Sequence, residues 1–179
     1  MSTAPTEIFA ALHADPERGF SMLIDRYQEP VYWHIRRMVV NHADAQDAMQ
    51  ETFIRIFKHL SSCQDAATFN AWVYRIASNE ALRILSRNRG EEVSMESMTT
   101  GAMLMPDEVY VDYSDLEAVK LQKAILALPA KQQLAFNLRY YDDLPYDEIA
   151  RITGSSVSAA KANYHFAKEK IIQFITSHD

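Results

Sequence analysis

Apolar residues recur at three- and four-residue steps along most of this chain, and the recurrences fall into separate runs. The first long run follows Asp15-Pro16-Glu17, where Asp suits an N-cap and Pro the first helical position. Phe20, Leu23, Ile24, Tyr27, Val31, Ile35 and Met38 then form one stripe, which predicts a helix or helix pair, bent or broken at Pro30. A second helix is predicted over residues 44–60, with Ala48, Phe53, Ile56, Phe57 and Leu60 inward. Residues 61–67 read as a loop, and Thr68 as the cap of a third helix whose buried side suits Trp72, Ile76, Ala77, Leu82 and Leu85.

After a gap the pattern resumes. Leu116, Val119, Leu121, Ile125 and Leu128 mark a helix ending at Pro129, and Leu134, Phe136, Leu138 and Tyr141 mark the next. Pro145 opens a short helix holding Ile149 and Ala150, and Gly154 closes it, as glycine does at helix C-termini. In the last helix, at roughly 100° per residue, Val157, Ala160, Tyr164, Ala167 and Ile171 share an inner side. Ser158, Ala162, His165, Phe166 and Glu169 lie opposite, with Lys161, Asn163 and Lys168 on the flanks. A short helix, a glycine turn and a longer helix make a helix-turn-helix, an element that usually meets DNA. The expected fold is all-α: two small helical domains, 1–90 and 115–179, joined by a flexible linker, 91–114.

Charge first argues against DNA, since the chain carries a net −6. Its distribution changes that picture. Lys and Arg balance Asp and Glu in both 1–90 and 115–179, while 91–114 holds six acids and no base, so the linker carries the whole excess. It is either a solvated tether or an acidic strand that occupies a channel built for nucleic acid. Locally, Arg75, Arg83, Arg87 and Arg89 face only Glu80 in 68–89, and Arg151, Lys161, Lys168 and Lys170 face only Glu169 in 151–170. Local fields decide where a polyanion binds, so two basic faces remain.

Composition removes other classes. The single Cys63 excludes an internal disulfide framework and fits a reducing compartment. No run approaches the ~18 apolar residues of a membrane helix, and no charged leader precedes an apolar segment, so a soluble cytoplasmic protein is expected. The six histidines show no HExxH or Cys/His spacing, and no phosphate-binding glycine loop or nucleophile elbow occurs. Neither an enzyme, a metal site nor a cofactor is expected.

Three stretches carry candidate chemistry. In "DAQDAMQETFIRIF", Asp44, Asp47 and Glu51 project with Gln50 from the outer face, a possible dock for a basic partner. In "FNAWVYRIASNEALRIL", Phe69, Trp72 and Tyr74 alternate with Arg75 and Arg83, and rings beside positive charge suit unpaired bases and their phosphates. Core packing is the competing role for Phe69 and Trp72. In the last helix, an outward Phe166 suits contact with a thymine methyl.

These stretches, in this order, resemble the extracytoplasmic-function (ECF) sigma factors, the smallest sigma-70-type subunits of bacterial RNA polymerase. The resemblance covers Phe20–Arg89 and Leu116–Phe174, and rests on Asp-Ala-x-Asp with Gln-Glu, on Trp-x-Tyr-Arg-Ile-Ala-x-Asn, and on Glu-Ile-Ala in the short helix. It implies docking on core polymerase through Asp44, Asp47, Gln50, Glu51, Phe53 and Ile54. It implies −10 reading and melting through Ser62, Phe69, Trp72, Tyr74, Arg75, Asn79, Arg83 and Arg87. It implies −35 reading through Ser156, Ser158, Lys161, Ala162, Asn163, His165, Phe166 and Lys168. Promoter DNA and an anti-sigma factor are the further partners it implies, without membrane insertion. Two departures stand out: Arg83 and Ser86-Arg87 replace the family's basic pair, and Ala159 to Asn163 replace its Thr-Val-Lys-Ser-Arg. The rivals are a stand-alone helix-turn-helix regulator, which leaves residues 44–57 unused, and an adaptor that binds only an anti-sigma protein.

Overall fold

The structure, a computed structural model, describes residues 3–39, 41–89 and 116–177. The linker 91–114 lies outside them. All regular structure among the described residues is helical: α1 (Pro5–Ala14), α2 (Pro16–Val39), α3 (His42–Lys58), α4 (Phe69–Arg89), α5 (Leu116–Leu126), α6 (Ala130–Tyr140), α7 (Tyr146–Thr153) and α8 (Val157–Ser177). Two 3₁₀ turns, Leu60–Ser62 and Ala66–Thr68, occupy the expected loop.

Helix α1 was not foreseen from the sequence pattern. It packs tightly against the start of α2, with Ile8 and Leu12 buried. A Cβ added at Gly19 would lie 2.4 Å from the Leu12 backbone nitrogen, so only glycine permits this approach. Pro30 neither breaks α2 nor ends it; the helix is continuous to Val39. Helix α3 is capped by Asn41, whose side-chain oxygen accepts the Asp44 N–H at 3.1 Å. Thr68 is not the expected cap. Its hydroxyl donates to the Asp65 carbonyl at 3.0 Å, while the Asp65 carboxylate accepts the Ala67 N–H.

Burial follows the apolar stripes. The main core takes Leu23, Tyr27, Val31 and Ile35 from α2, Ile56 from α3 and Phe69, Val73 and Ala77 from α4. It continues into the second half through Leu134, Leu138, Ile149, Ile152 and Ala160. A smaller core joins Ala124, Ile125 and Leu128 of α5 to Phe136, Ala167 and Ile171. Helices α6 and α7 thus lie on α2 and α4, and the two halves share one apolar interior.

The angular reading of α8 holds for Ala160, Ala167 and Ile171, which are buried, and for half-buried Tyr164. Val157 departs from it at 40 % exposed, because it opens the helix beyond the reach of the core.

Candidate functional site

Three surfaces follow from this packing. The first is the outer side of α3. Asp47 and Gln50 are exposed there beside Ile54 at 45 % and Phe57 at 59 %. Phe57 meets Phe20 edge-on at 5.8 Å, and Pro16, Phe20, Phe53, Ile54 and Phe57 line an apolar cleft of about 570 Å³ with Glu17 and Lys58 at its rim. Phe53 itself is buried in the cleft floor, so it shapes this surface more than it presents a face. The expected acids do not stand alone. Glu51 pairs with Arg55 at 3.2 Å, and Asp44 lies 3.7 Å from Arg87 of α4.

The second surface is α4. Arg75, Asn79, Arg83 and Arg87 are exposed along it, and Ser62 is exposed in the preceding turn. Its expected aromatic set divides differently. Phe69 is fully buried, with Phe9, Tyr27 and Trp72 around its ring, so it is a core side chain rather than an open stacking platform. Trp72 is half-buried against the same core. Tyr74 is buried with its hydroxyl pointing to Asp142 at 3.5 Å. Burial first, then the Asp142 charge, push the Tyr74 phenol above the usual tyrosine range, so it stays an O–H donor. Arg83 and Arg55 converge on buried Glu80, Arg55 Nε at 2.6 Å and Arg83 Nη1 at 3.5 Å. Arg83 is thus held by Glu80 of α4, and Arg87 by Asp44 of α3.

The third surface is the outer face of α8. Gly154 takes the left-handed conformation, φ 67°, and its N–H donates to the Ala150 carbonyl. The Ser156 hydroxyl accepts the Ala159 N–H at 3.0 Å, which caps α8. Ser156, Ser158, Lys161, Ala162, His165, Phe166 and Lys168 are exposed and Asn163 is half-exposed, so the predicted outward set comes together on one face. Phe166 stands 48 % exposed beside His165, which pairs with Glu169 at 3.2 Å. Lys161 Nζ lies 5.8 Å from the Tyr146 ring centre, and Lys168 Nζ 5.4 Å from that of Tyr164.

Contacts between the halves were not read from the sequence. Asn70 accepts the Tyr27 hydroxyl at 2.6 Å and donates its amide to Glu148 at 3.1 Å. Arg75 donates to the Arg151 carbonyl at 3.1 Å, beside Gly154. Asp142 reaches His34 at 3.5 Å and Arg37 at 3.7 Å, and Arg37 also lies 4.3 Å over the Tyr141 ring. Among the described residues no group of His, Cys, Asp and Glu is placed to hold a metal ion, and no helix is long and apolar enough to cross a membrane.

Comparison with known proteins identifies the two halves. Residues 23–91 match the family model for sigma-70 region 2, and residues 118–171 that for sigma-70 region 4. The chain is 29 % identical over 162 residues to the ECF RNA polymerase sigma factor SigW of Bacillus subtilis, covering 86 % of this chain and 87 % of that protein. It is 28 % identical over 164 residues to the RNA polymerase sigma-H factor of Pseudomonas aeruginosa, covering 87 % and 85 %. Its fold superimposes on CnrH, solved in complex with the cytosolic domain of CnrY, with TM-score 0.75 at 18 % identity over 99 % of this chain and all of that one. It also resembles the sigma factor RpoE of Bartonella quintana, solved with the anti-sigma factor NepR, with TM-score 0.64 at 19 % identity over 88 % and 96 %.

Proposed function

This chain belongs to the extracytoplasmic-function sigma factors of the sigma-70 family, which direct RNA polymerase to promoters, and from that premise we propose how its three surfaces divide the work. Residues 1–90 form the domain that docks on core polymerase and opens the −10 element, 91–114 the linker, and 115–179 the domain that reads the −35 duplex. The chain performs no bond chemistry; that belongs to the polymerase. An anti-sigma partner follows from the relatives solved with such proteins, and a cytoplasmic location from where polymerase works.

Docking falls to exposed Asp47, Gln50 and Ile54 beside the apolar cleft, with Asp44 and Glu51 available once their arginines let go. Exposed ion pairs hold by only ~0–1 kcal/mol, so a basic partner displaces them at little cost. Asn79, Arg83, Arg87 and Ser62 meet the melted −10 strand. A flipped base costs a few kcal/mol of unstacking, which binding in a pocket offsets. The outer stripe of α8 enters the −35 major groove, with Phe166 against a base edge and Lys161 and Lys168 towards phosphates.

The observation that carries this reading is the α3 face, where Asp47 and Gln50 stand exposed beside the large apolar side chains of Ile54 and Phe57. The full-length double variant Asp47→Arg with Ile54→Glu should keep its melting temperature and lose binding to purified core polymerase. Retained affinity in the folded variant would place the dock elsewhere. A stand-alone regulator predicts no core binding by the wild-type chain at all.

A further inference from the structure

His34 stands where the apolar stripe of α2 calls for a core residue, three positions after Val31, and it is fully buried. A ring with two nitrogens in such a place needs a partner for each. Nε2 has one: it lies 2.8 Å from the hydroxyl oxygen of Ser78, itself fully buried on α4. Ser78 donates its own proton to the Tyr74 carbonyl at 2.7 Å, so its oxygen accepts from His34 Nε2–H. In the neutral ring this leaves Nδ1 as a bare acceptor.

Nδ1 faces Oδ2 of Asp142, in the turn between α6 and α7, at 3.5 Å. Both atoms are buried and neither has a hydrogen-bond partner. Two acceptors pointed at one another repel. The other carboxylate oxygen, Oδ1, receives the Tyr74 hydroxyl at 3.5 Å and lies 3.7 Å from Arg37 Nη1, so Oδ2 is left to the imidazole. The charges around the ring pull in both directions. Burial and the Arg37 cation oppose a positive ring, and the Asp142 carboxylate favours one. Arg139 of α6 is turned away to the Leu144 carbonyl and the Tyr146 ring, and Asp143 is exposed. A second proton, on Nδ1, turns the repelling pair into a charge-assisted hydrogen bond, whose usual length is ~2.7–2.9 Å. That single proton satisfies two buried atoms at once.

We propose that His34 and Asp142 form a proton-operated latch between the two halves of the chain. In mildly acidic solution an imidazolium at His34 donates Nδ1–H to Asp142. At higher pH the proton leaves, and Nδ1 and Oδ2 oppose each other. The shared apolar core holds the halves in both states, and the latch sets how firmly. Imidazole titrates near ~6.5, so the added stability is present below that range and is lost as pH rises beyond it. The latch is independent of the sigma-factor reading, and neither polymerase nor DNA takes part in it.

The test is a double-mutant cycle on the full-length chain, with His34→Gln, Asp142→Asn and the two combined. Gln keeps a polar atom near Ser78 and has no ring to titrate. Urea denaturation gives each folding constant at about pH 5.5 and about pH 8.5, on either side of the imidazole range. Arg37 keeps its proton throughout, and so does Tyr74, whose phenol burial pushes above the usual tyrosine range. The change in coupling between the two pH values therefore isolates His34. At the lower pH the coupling should multiply the folding constant by roughly tenfold or more, the size of a hydrogen bond to a charged group, and at the higher pH it should fall close to one. Equal coupling at both pH values overturns the latch. The wild-type chain supplies an arm that needs no variant. In chain labelled with ¹⁵N-histidine, the His34 ring is assigned through its contact with the Tyr74 ring, 5.4 Å away between centroids. Its nitrogen shifts should show the Nε2–H tautomer at the higher pH and a second proton on Nδ1 at the lower. A ring that stays neutral in the folded chain at the lower pH overturns the latch. So does an Nδ1–H tautomer at the higher pH, since a neutral ring would then already donate to Asp142.

Discussion

Glu80 shows how burial and pairing compete at one residue. It is almost wholly buried on α4, with Arg55 and Arg83 against its carboxylate. Burial is the largest influence and pushes its pKa up, while Arg83 and Arg55 pull the other way and do not cancel it. The folded chain therefore holds this proton to higher pH than the unfolded chain, where Glu titrates near ~4.3. Its contribution to stability is fully present below that value and is lost as pH rises through the folded pKa. Glu80→Gln has no proton to lose. Urea denaturation from about pH 4 to 7 should show wild type losing stability relative to the variant as pH rises. The opposite slope would mean that the arginines outweigh burial. Such a residue explains part of what stayed hidden in the sequence. "SNEALR" shows a lone acid three residues before an arginine, but not the Arg55 that reaches it from α3. Phe69 was ambiguous for the same reason, since a ring beside arginines reads alike whether it faces a base or the core.

At the scale of the element, periodicity made α2, α3, α4 and α8 legible, because each buries a stripe several turns long. It did not reveal α1, a ten-residue helix whose place depends on one missing Cβ at Gly19. It did identify the outer face of α8, and two substitutions there should separate two kinds of contact. Phe166→Ala should relax preference at one −35 position by roughly 1–3 kcal/mol or less. Lys161→Ala should weaken binding evenly across sequences and lower the salt slope by about one. Selection from a randomised promoter library with holoenzyme carrying each variant gives both readings. A −35 preference untouched by Phe166→Ala would move base contact to another residue of the stripe. Asn163 and Lys168 are the nearest alternatives on its flanks.

At the scale of the whole molecule the two helical domains of the sequence reading are present, and what the sequence did not reveal is how they pack together. Their shared interior makes Leu138 and Ile149 part of the same core as Leu23 and Phe69. The hydrogen bonds that join them link residues 68 to 78 apart in the chain, a separation to which local patterns are blind. The shared main core predicts one transition. Both tryptophans, Trp33 and Trp72, lie in the first half, so their fluorescence reports on that half while far-ultraviolet circular dichroism reports on all helices. The two probes should melt together in wild type. Asp142→Asn, which removes the carboxylate charge beside His34 and Arg37, should draw the curves apart. Separate curves in the wild type would restore the view of two independent domains.

That separation along the chain also sets an order of events at the ribosome. Helices α1 to α4 are complete when Arg89 has been added, and their partners in α6 and α7 are still to come. Synthesis proceeds at ~5–20 residues per second, so the remaining stretch takes on the order of ten seconds. Through that interval Asn70, Tyr74 and Arg75 stand uncovered, and the apolar seats of Leu138 and Ile149 stand empty. The nascent first half is thus born open, and the chain acquires its closed form only when its own C-terminal helices arrive to fill it.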